Sequence, residues 1–315
     1  MENNNSKQMN ESSKCPPKQQ FIQAKGLEFC VEERGDPDGE AIIFIMGLAC
    51  QMTHWPEALL NGLVEQGYRV IRFDNRDIGL SEKIKSTHIV DTRRAYISYK
   101  LGFHPAANYT LHNMANDTAN ILQALSIESA HIVGASMGGM IGQLLAAHHP
   151  DMVKSLTTIM SSTNSPRLPF PELNLMIKLS AVGRGRNDKA SVLKRWKGFW
   201  KSVQSPDYPT PTKDIMALIE ANYERNYSPG GTIRQIQAML ATGSLEKYIG
   251  DIAAPTLVIH GSRDPLLKPA CGKAISRHVK NARFELIKGM GHDLPKQLIP
   301  EFINLIDGHI KQCAP

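Results

Sequence analysis

The pentapeptide Gly134-Ala135-Ser136-Met137-Gly138 limits what this chain can fold into more than any other stretch. It follows the apolar run Ala130-His131-Ile132-Val133 and precedes a helical pattern from Met140 to Ala147. The order strand, tight turn, helix predicts two backbones in close approach, with a serine at the apex. A β-carbon on either flanking glycine would clash there. A free serine hydroxyl is a poor nucleophile and needs an exposed position, a neighbouring base and backbone donors for an oxyanion. Ser136 is therefore the candidate nucleophile.

The rest of the chain supplies a sheet for that turn. Phe21–Ala24 and Leu27–Glu33 alternate apolar and polar residues around Lys25-Gly26, as an antiparallel hairpin does. Ala41–Met46 is a continuous apolar run ending at Gly47, the pattern of a parallel strand buried on both faces. Further strands are expected at Tyr68–Phe73, Val153–Met160, Pro255–His260 and Ala282–Ile287. Helices are expected at Trp55–Gln66, Asn113–Leu125 and Pro295–Ile310, and the stretch between Ser81 and Asn113 reads as irregular. Strands and helices that alternate in this way predict an α/β chain with a parallel sheet covered on both faces.

Between Ser162 and Pro255 the alternation stops. The segment holds helical patterns, Trp196 and Trp200, and breaks at Pro166, Pro169, Pro171, Pro206, Pro209 and Pro211. Residues 163–250 therefore read as a helical cap over the sheet edge where ligands sit, shaping the pocket and excluding water. The core is then 19–162 with 251–315, and residues 1–18 read as a disordered tail. Trp196 and Trp200 are four apart and share a helix face, expected to pack under the cap. The basic run Lys178–Lys201, with Arg184, Arg186, Lys189, Lys194, Arg195 and Lys197, reads first as a solvated face. Attraction of anionic substrates or of an anionic membrane surface is the alternative.

Composition narrows the class of function. With 42% hydrophobic and 21% charged residues in 315, the chain suits a soluble globular protein with a large core. A formal charge of +6 without clustered basic and aromatic residues argues against nucleic-acid binding. The most apolar run, Ala41–Cys50, is too short to cross a bilayer, and residues 1–18 lack an apolar signal-type stretch. The five cysteines (Cys15, Cys30, Cys50, Cys271, Cys313) are scattered and form no C-x-x-C. They read as free thiols of a reducing cytoplasm, with Cys50 serving packing rather than chemistry. No H-E-x-x-H or comparable spacing occurs, so neither metal nor cofactor is expected.

Two loops offer partners for Ser136. Gly261-Ser262-Arg263-Asp264-Pro265 follows the Pro255–His260 strand, and Lys288-Gly289-Met290-Gly291-His292-Asp293 follows Ala282–Ile287. Both lie at strand carboxyl ends and give the chain order Ser, Asp, His. His292 is the candidate base and Asp264 the candidate acid that orients it. Asp293 adjoins the base and is badly placed to reach its far nitrogen. The loop after Val153–Met160 offers Ser161, Ser162, Thr163 and Asn164 but no carboxylate. The other histidines, His148, His149 and His260 among them, read as structural. The oxyanion donors are expected to be the backbone amides of Met137 and of Leu48, in the loop after Ala41–Met46.

These residues together resemble the α/β-hydrolase family, in its branch of capped, single-domain esterase-like members. The likeness spans roughly residues 20–312. It includes the Gly134–Gly138 turn, the loop at Met46-Gly47, Gly291-His292, and Asp74-Asn75-Arg76-Asp77-Ile78-Gly79-Leu80-Ser81 against the family's D-x-R-G-x-G-x-S. Phe44-Ile45-Met46-Gly47 and Gly289-Met290-Gly291-His292-Asp293-Leu294-Pro295 are more similar to the aclacinomycin methylesterase subgroup. Asp77 departs from the usual glycine, at a loop position that leaves the triad intact. The resemblance implies a mostly parallel eight-stranded sheet flanked by helices, no cofactor, and hydrolysis of a small to medium carboxylic ester through an acyl-enzyme. The same triad also serves C–C bond hydrolases, lactonases, amidases and perhydrolases, and the scaffold serves non-catalytic ligand-binding proteins. The expected partner is a small-molecule ester, and a homodimer is left open.

Overall fold

The computed structural model describes residues 17–85, 91–169, 171–182 and 185–313. Most of the segment read as a tail, and Arg184 of the basic run, lie outside them. The strands β1 (Lys18–Ala24) and β2 (Leu27–Arg34) form the expected hairpin about Lys25 and Gly26, both at positive φ. The sheet thus takes in Lys18, the last residue of the segment read as a tail. In chain order follow β3 (Ala41–Ile45), α1 (Glu57–Glu65), β4 (Arg69–Phe73), α2 (Thr92–Lys100), α3 (Leu111–Ala124), β5 (Ala130–Ala135), α4 (Met137–His148) and β6 (Val153–Ile159). Next come α5 (Leu173–Val182), α6 (Lys189–Val203), α7 (Thr212–Arg225), α8 (Pro229–Thr242) and α9 (Glu246–Ile249). The chain then returns to the sheet with β7 (Thr256–Gly261), α10 (Pro269–His278), β8 (Arg283–Ile287) and α11 (Ile299–Gln312).

The eight strands form one sheet in the order β1-β2-β4-β3-β5-β6-β7-β8. β2 pairs antiparallel with both its neighbours, and the other pairings are parallel. This is the sheet the resemblance implies. Its central strands are buried on both faces, so alternate residues serve different cores. In β3, Ile43 and Ile45 join the layer with Ala115 and Ile121 of α3 and Ile141 and Leu144 of α4. Ile42 and Phe44 point the other way, to Leu59 and Leu63 of α1 and Phe302 and Ile306 of α11.

Two helices add to the sequence reading. α2 lies in the stretch read as irregular and buries only Ala95 and Tyr99, too little for a helical stripe to show. The crossover helix α10, ten residues long, buries Cys271, Gly272, Ala274 and Ile275 and carries few large apolar side chains. Because β4 and β5 lie on opposite sides of β3, the chain reverses direction across the sheet there. Such a switch point leaves a crevice at the strand carboxyl ends.

The helices between β6 and β7 are tied to core loops by charge. Arg234 of α8 donates to both carboxylate oxygens of Asp77, at 2.6 and 2.9 Å. Tyr109 Oη and the Ile84 amide complete the shell of this fully buried carboxylate, at 2.7 and 2.8 Å. Arg225 of α7 donates to one oxygen of buried Asp74, Oδ2, at 2.6 Å. The departure at Asp77 is thus the anchor of α8. Several cations of the basic run are spent internally: Lys189 bridges Glu220 and Glu224 of α7, and Arg195 donates to the Arg186 carbonyl.

Two predictions concern stability. Arg234→Met strands the buried Asp77 carboxylate, and urea unfolding should show a loss of about 3 kcal/mol or more. In the second, a β-carbon on Gly138 would lie 1.9 Å from the Ile45 carbonyl oxygen, whereas one on Gly308 in α11 meets nothing within 4 Å. Gly138→Ala should therefore lower Tm sharply or prevent folding, while Gly308→Ala should add about 0.5–1 kcal/mol through helix propensity.

Candidate active site

Ser136 stands between β5 and α4 with φ 54° and ψ −118°, a strained conformation for a residue with a side chain. The strain is held by close packing beneath it. A β-carbon on Gly134 would lie 2.4 Å from the Gly138 carbonyl oxygen, so the strand and helix meet only because both flanking residues are glycine. The Ser136 amide donates to the Ile159 carbonyl at 2.9 Å, and its carbonyl accepts from the Ser161 hydroxyl at 2.7 Å. The loop after β6, which offered no carboxylate, thus braces the backbone of the serine.

His292 and Asp264 converge on Ser136 from the carboxyl ends of β8 and β7. His292 Nε2 lies 3.1 Å from Ser136 Oγ, and His292 Nδ1 lies 2.7 Å from Asp264 Oδ2. The tautomer that satisfies both contacts carries its proton on Nδ1, leaving Nε2 to accept the serine proton. The other carboxylate oxygen of Asp264 accepts the Leu266 and Leu267 amides, both at 2.8 Å. Buried His260 packs against the same carboxylate, with Nε2 3.5 Å from Asp264 Oδ2 and 2.7 Å from the Leu267 carbonyl. Burial holds its pKa below the ordinary value, so it stays neutral beside the dyad.

The loop after β3 lies alongside the serine: a β-carbon on Gly47 would sit 3.1 Å from Ser136 Cβ. Leu48 and Met137 directly follow the two residues of this contact. Among the described residues, neither amide donates to a protein acceptor. The loop is held by side chains that the sequence analysis gave no role. Asn75 Nδ2 donates to the Met46 carbonyl at 2.9 Å, Gln235 Oε1 of α8 accepts the Ala49 amide at 3.0 Å, and Asp74 Oδ1 accepts the Met52 amide at 2.8 Å. Asp74 and Asn75 belong to the D-x-R stretch, whose likeness to the family was the available clue. Gln235 is distant in sequence and left none.

A cavity of about 870 Å³ opens over Ser136 and His292. Its walls are mainly apolar, with Leu179, Phe199, Trp200, Ile236 and Met239 from α5, α6 and α8 facing Met46 and Trp55 of the core loops. Trp200 stacks on Trp196 at 6.4 Å and on His54 at 5.6 Å, so the two tryptophans pack together and Trp200 also lines the cavity. Burial pushes His54 down to about 4, which keeps the imidazole uncharged in the wall at neutral pH. Burial also pushes the Cys50 thiol up to about 12, where it is inert, and Asp293 up to about 6. Asp293 spends Oδ1 on Ser205 rather than on the His292 ring. Among the described residues, no group of three or more His, Cys, Asp or Glu side chains is disposed to hold a metal ion, and no helix is long and apolar enough to cross a membrane.

Several known proteins are similar to this chain along most of its length. The rhodomycin D methylesterase DauP of Streptomyces sp. (strain C5) is 24% identical over 280 residues, spanning 83% of this chain and 87% of its own. The 3-oxoadipate enol-lactonase 1 of Acinetobacter baylyi is 26% identical over 289 residues, 91% of this chain and 94% of its own. Among solved structures, a meta-cleavage product hydrolase of Pseudomonas fluorescens superposes with a TM-score of 0.73 at 17% identity, covering 94% of this chain and 98% of its own. The sequence model of the alpha/beta hydrolase fold matches residues 40–296, a span from β3 through the loops that carry Leu48, Ser136, Asp264 and His292. By that match, which takes in the sheet from β3 to β8 and every loop of the site, the chain belongs to the alpha/beta hydrolase fold family.

Proposed function

We propose that this protein is a serine carboxylic-ester hydrolase acting through an acyl-enzyme, with Ser136 as nucleophile, His292 as base and Asp264 as its orienting acid. The observation that carries the reading is the hydrogen-bonded series Ser136–His292–Asp264 at the floor of an apolar cavity. His292 Nε2 takes the Ser136 proton as Oγ attacks the ester carbonyl. Asp264, desolvated and already satisfied by two amides, stabilises the imidazolium through Nδ1. The oxyanion is received by the Leu48 and Met137 amides, each donor worth roughly 3 kcal/mol of barrier. The C–O bond then breaks, and the alcohol leaves with the proton from His292. Water attacks the acyl-enzyme by the same route, giving a proton to His292, which passes it to Ser136 Oγ as the acyl C–O bond breaks and the acid leaves.

The helices from α5 to α9 act as a cap in this reading, and their apolar contribution to the walls selects the acyl group. The cavity is near the upper end of small-molecule sites, which favours an acyl part bulkier than acetate. The likeness to a rhodomycin D methylesterase supports a bulky acid esterified to a small alcohol. A lactone is an internal ester that follows the same chemistry, and the likeness to an enol-lactonase is the observation that favours it as the second reading. The four described cysteines are free thiols, three of them buried, which supports the reducing cytoplasm as the compartment.

Two measurements check this. Against p-nitrophenyl esters from acetate to palmitate, turnover should peak beyond acetate, and Ser136→Ala should abolish it; turnover that survives in Ser136→Ala would remove the serine nucleophile from the scheme. Asp264→Asn should keep the fold and leave KM little changed while lowering kcat by roughly 10⁴, since the wrong imidazole tautomer then faces Ser136. A loss below tenfold would show that Asp264 is not the orienting acid.

A further inference from the structure

The His292 ring is aimed by two contacts, but the backbone that carries it is held from elsewhere. The segment just past α6 runs beside the His292 loop and bonds to it along its length. The His292 amide donates to the Val203 carbonyl at 2.7 Å, and the Asp207 amide to the Gly289 carbonyl at 3.4 Å. Between them, Ser205 Oγ accepts the Gly291 amide at 2.8 Å and donates to Asp293 Oδ1 at 2.5 Å. The Ser205 amide donates to the same oxygen at 2.9 Å. A β-carbon on Gly291 would lie 2.6 Å from the Val203 carbonyl oxygen, so the two segments are in backbone contact.

We propose that Ser205 and Asp293 are positioning residues for His292, a clasp that fixes the residues on either side of the base to the end of α6. This rests on the serine-hydrolase reading above. The clasp joins the base to the same helix that supplies Phe199 and Trp200 to the cavity wall. Occupancy of the pocket and placement of the base are thereby mechanically linked. Ser205 is fully buried and its hydroxyl is used in both directions, as donor to Asp293 and acceptor from Gly291. Neither residue touches the reacting atoms.

The chemistry of the clasp is costlier than packing requires. Burial raises the Asp293 carboxyl to about 6, against the stabilising bonds from Ser205. The charged groups that bear on it are Asp264, which raises it further, and His292 when protonated, which lowers it. At neutral pH the fold therefore keeps an ionised carboxylate out of water, where it accepts two bonds at one oxygen more strongly than a neutral acid would. Below about pH 6 the carboxyl gains a proton, the Ser205 bonds weaken, and the base loses its lateral support.

The test uses the whole chain, labelled at Ser136 with a fluorophosphonate and assayed on p-nitrophenyl esters from pH 5 to 9. Ser205→Ala and Asp293→Ala should each lower kcat and the labelling rate by about 10- to 100-fold, as expected for a misplaced base. KM should move less than about twofold, and the double variant should be no slower than either single one. Ser205→Thr keeps the hydroxyl and should retain kcat near pH 8, whereas Asp293→Asn keeps an accepting oxygen without its charge and should show near pH 8 the lowered kcat that the wild-type protein reaches only below about pH 6. Asp293→Asn should also make the acidic limb shallower by one proton. Unchanged kcat in both alanine variants would overturn the clasp, as would an acidic limb of unchanged steepness in Asp293→Asn. Wild-type protein that fails to label at Ser136 would instead remove the serine-hydrolase reading and the clasp with it.

Discussion

Everything at this site depends on one steric fact: three backbones meet at Gly138 more closely than any side chain permits. The β3 strand end, the β5 strand end and the first turn of α4 share that point, with a β-carbon there falling 1.9 Å from the Ile45 carbonyl oxygen. Ser136 is pushed to positive φ by this approach, which lifts its hydroxyl out of the sheet and into the crevice. The same approach brings Gly47 beside Ser136, so the proposed nucleophile and the loop proposed to receive the oxyanion are placed by a single contact. A strained residue of this kind persists only where its surroundings over-determine it. Here the Ile159 carbonyl, the Ser161 hydroxyl and the buried strands on either side supply that support.

Around this rigid point the remaining groups arrive on loops that brace one another. Asp74 and Asn75 hold the Met46–Met52 loop, the Leu266 and Leu267 amides hold Asp264, and Ser205 holds the loop of His292. The supports come from both the sheet and the helices beyond β6. The pocket and the hydrogen-bonded series are therefore not separable parts: α6 and α8 reach past the cavity wall to bond the loops beneath it.

How much of this was legible in the sequence follows from what makes a signal local. Buried parallel strands are continuous apolar runs, so β3 and β7 were readable, as was the Gly134–Gly138 turn, whose residues meet each other. Ser136, His292 and Asp264, which the fold brings within hydrogen-bond reach, could be proposed as a set because each follows the carboxyl end of a strand in a recognisable order. The helices α2 and α10 were not, because each is only nine or ten residues long and carries few large apolar side chains. Gln235 and Ser205 were hidden for another reason. Their partners lie 186 and 86–88 residues away, and no local pattern encodes a contact of that range. Asp77 was seen as a departure from a family pattern, but its partner Arg234 is 157 residues on, so its role emerged only with the fold.

The charge pairs Asp74–Arg225 and Asp77–Arg234 have a consequence for how such a scaffold can diversify. It is natural to regard the helices between β6 and β7 as an interchangeable module, free to be replaced when a new ligand is to be accommodated. In this chain a foreign set of helices grafted between those strands would leave two fully buried carboxylates without the arginines that bond them. The graft would have to import arginines at matching places, or the receiving loop would have to give up both acids at once. The helical segment and the loop after β4 are thus bound to change together, and a lineage that inherits one inherits the other.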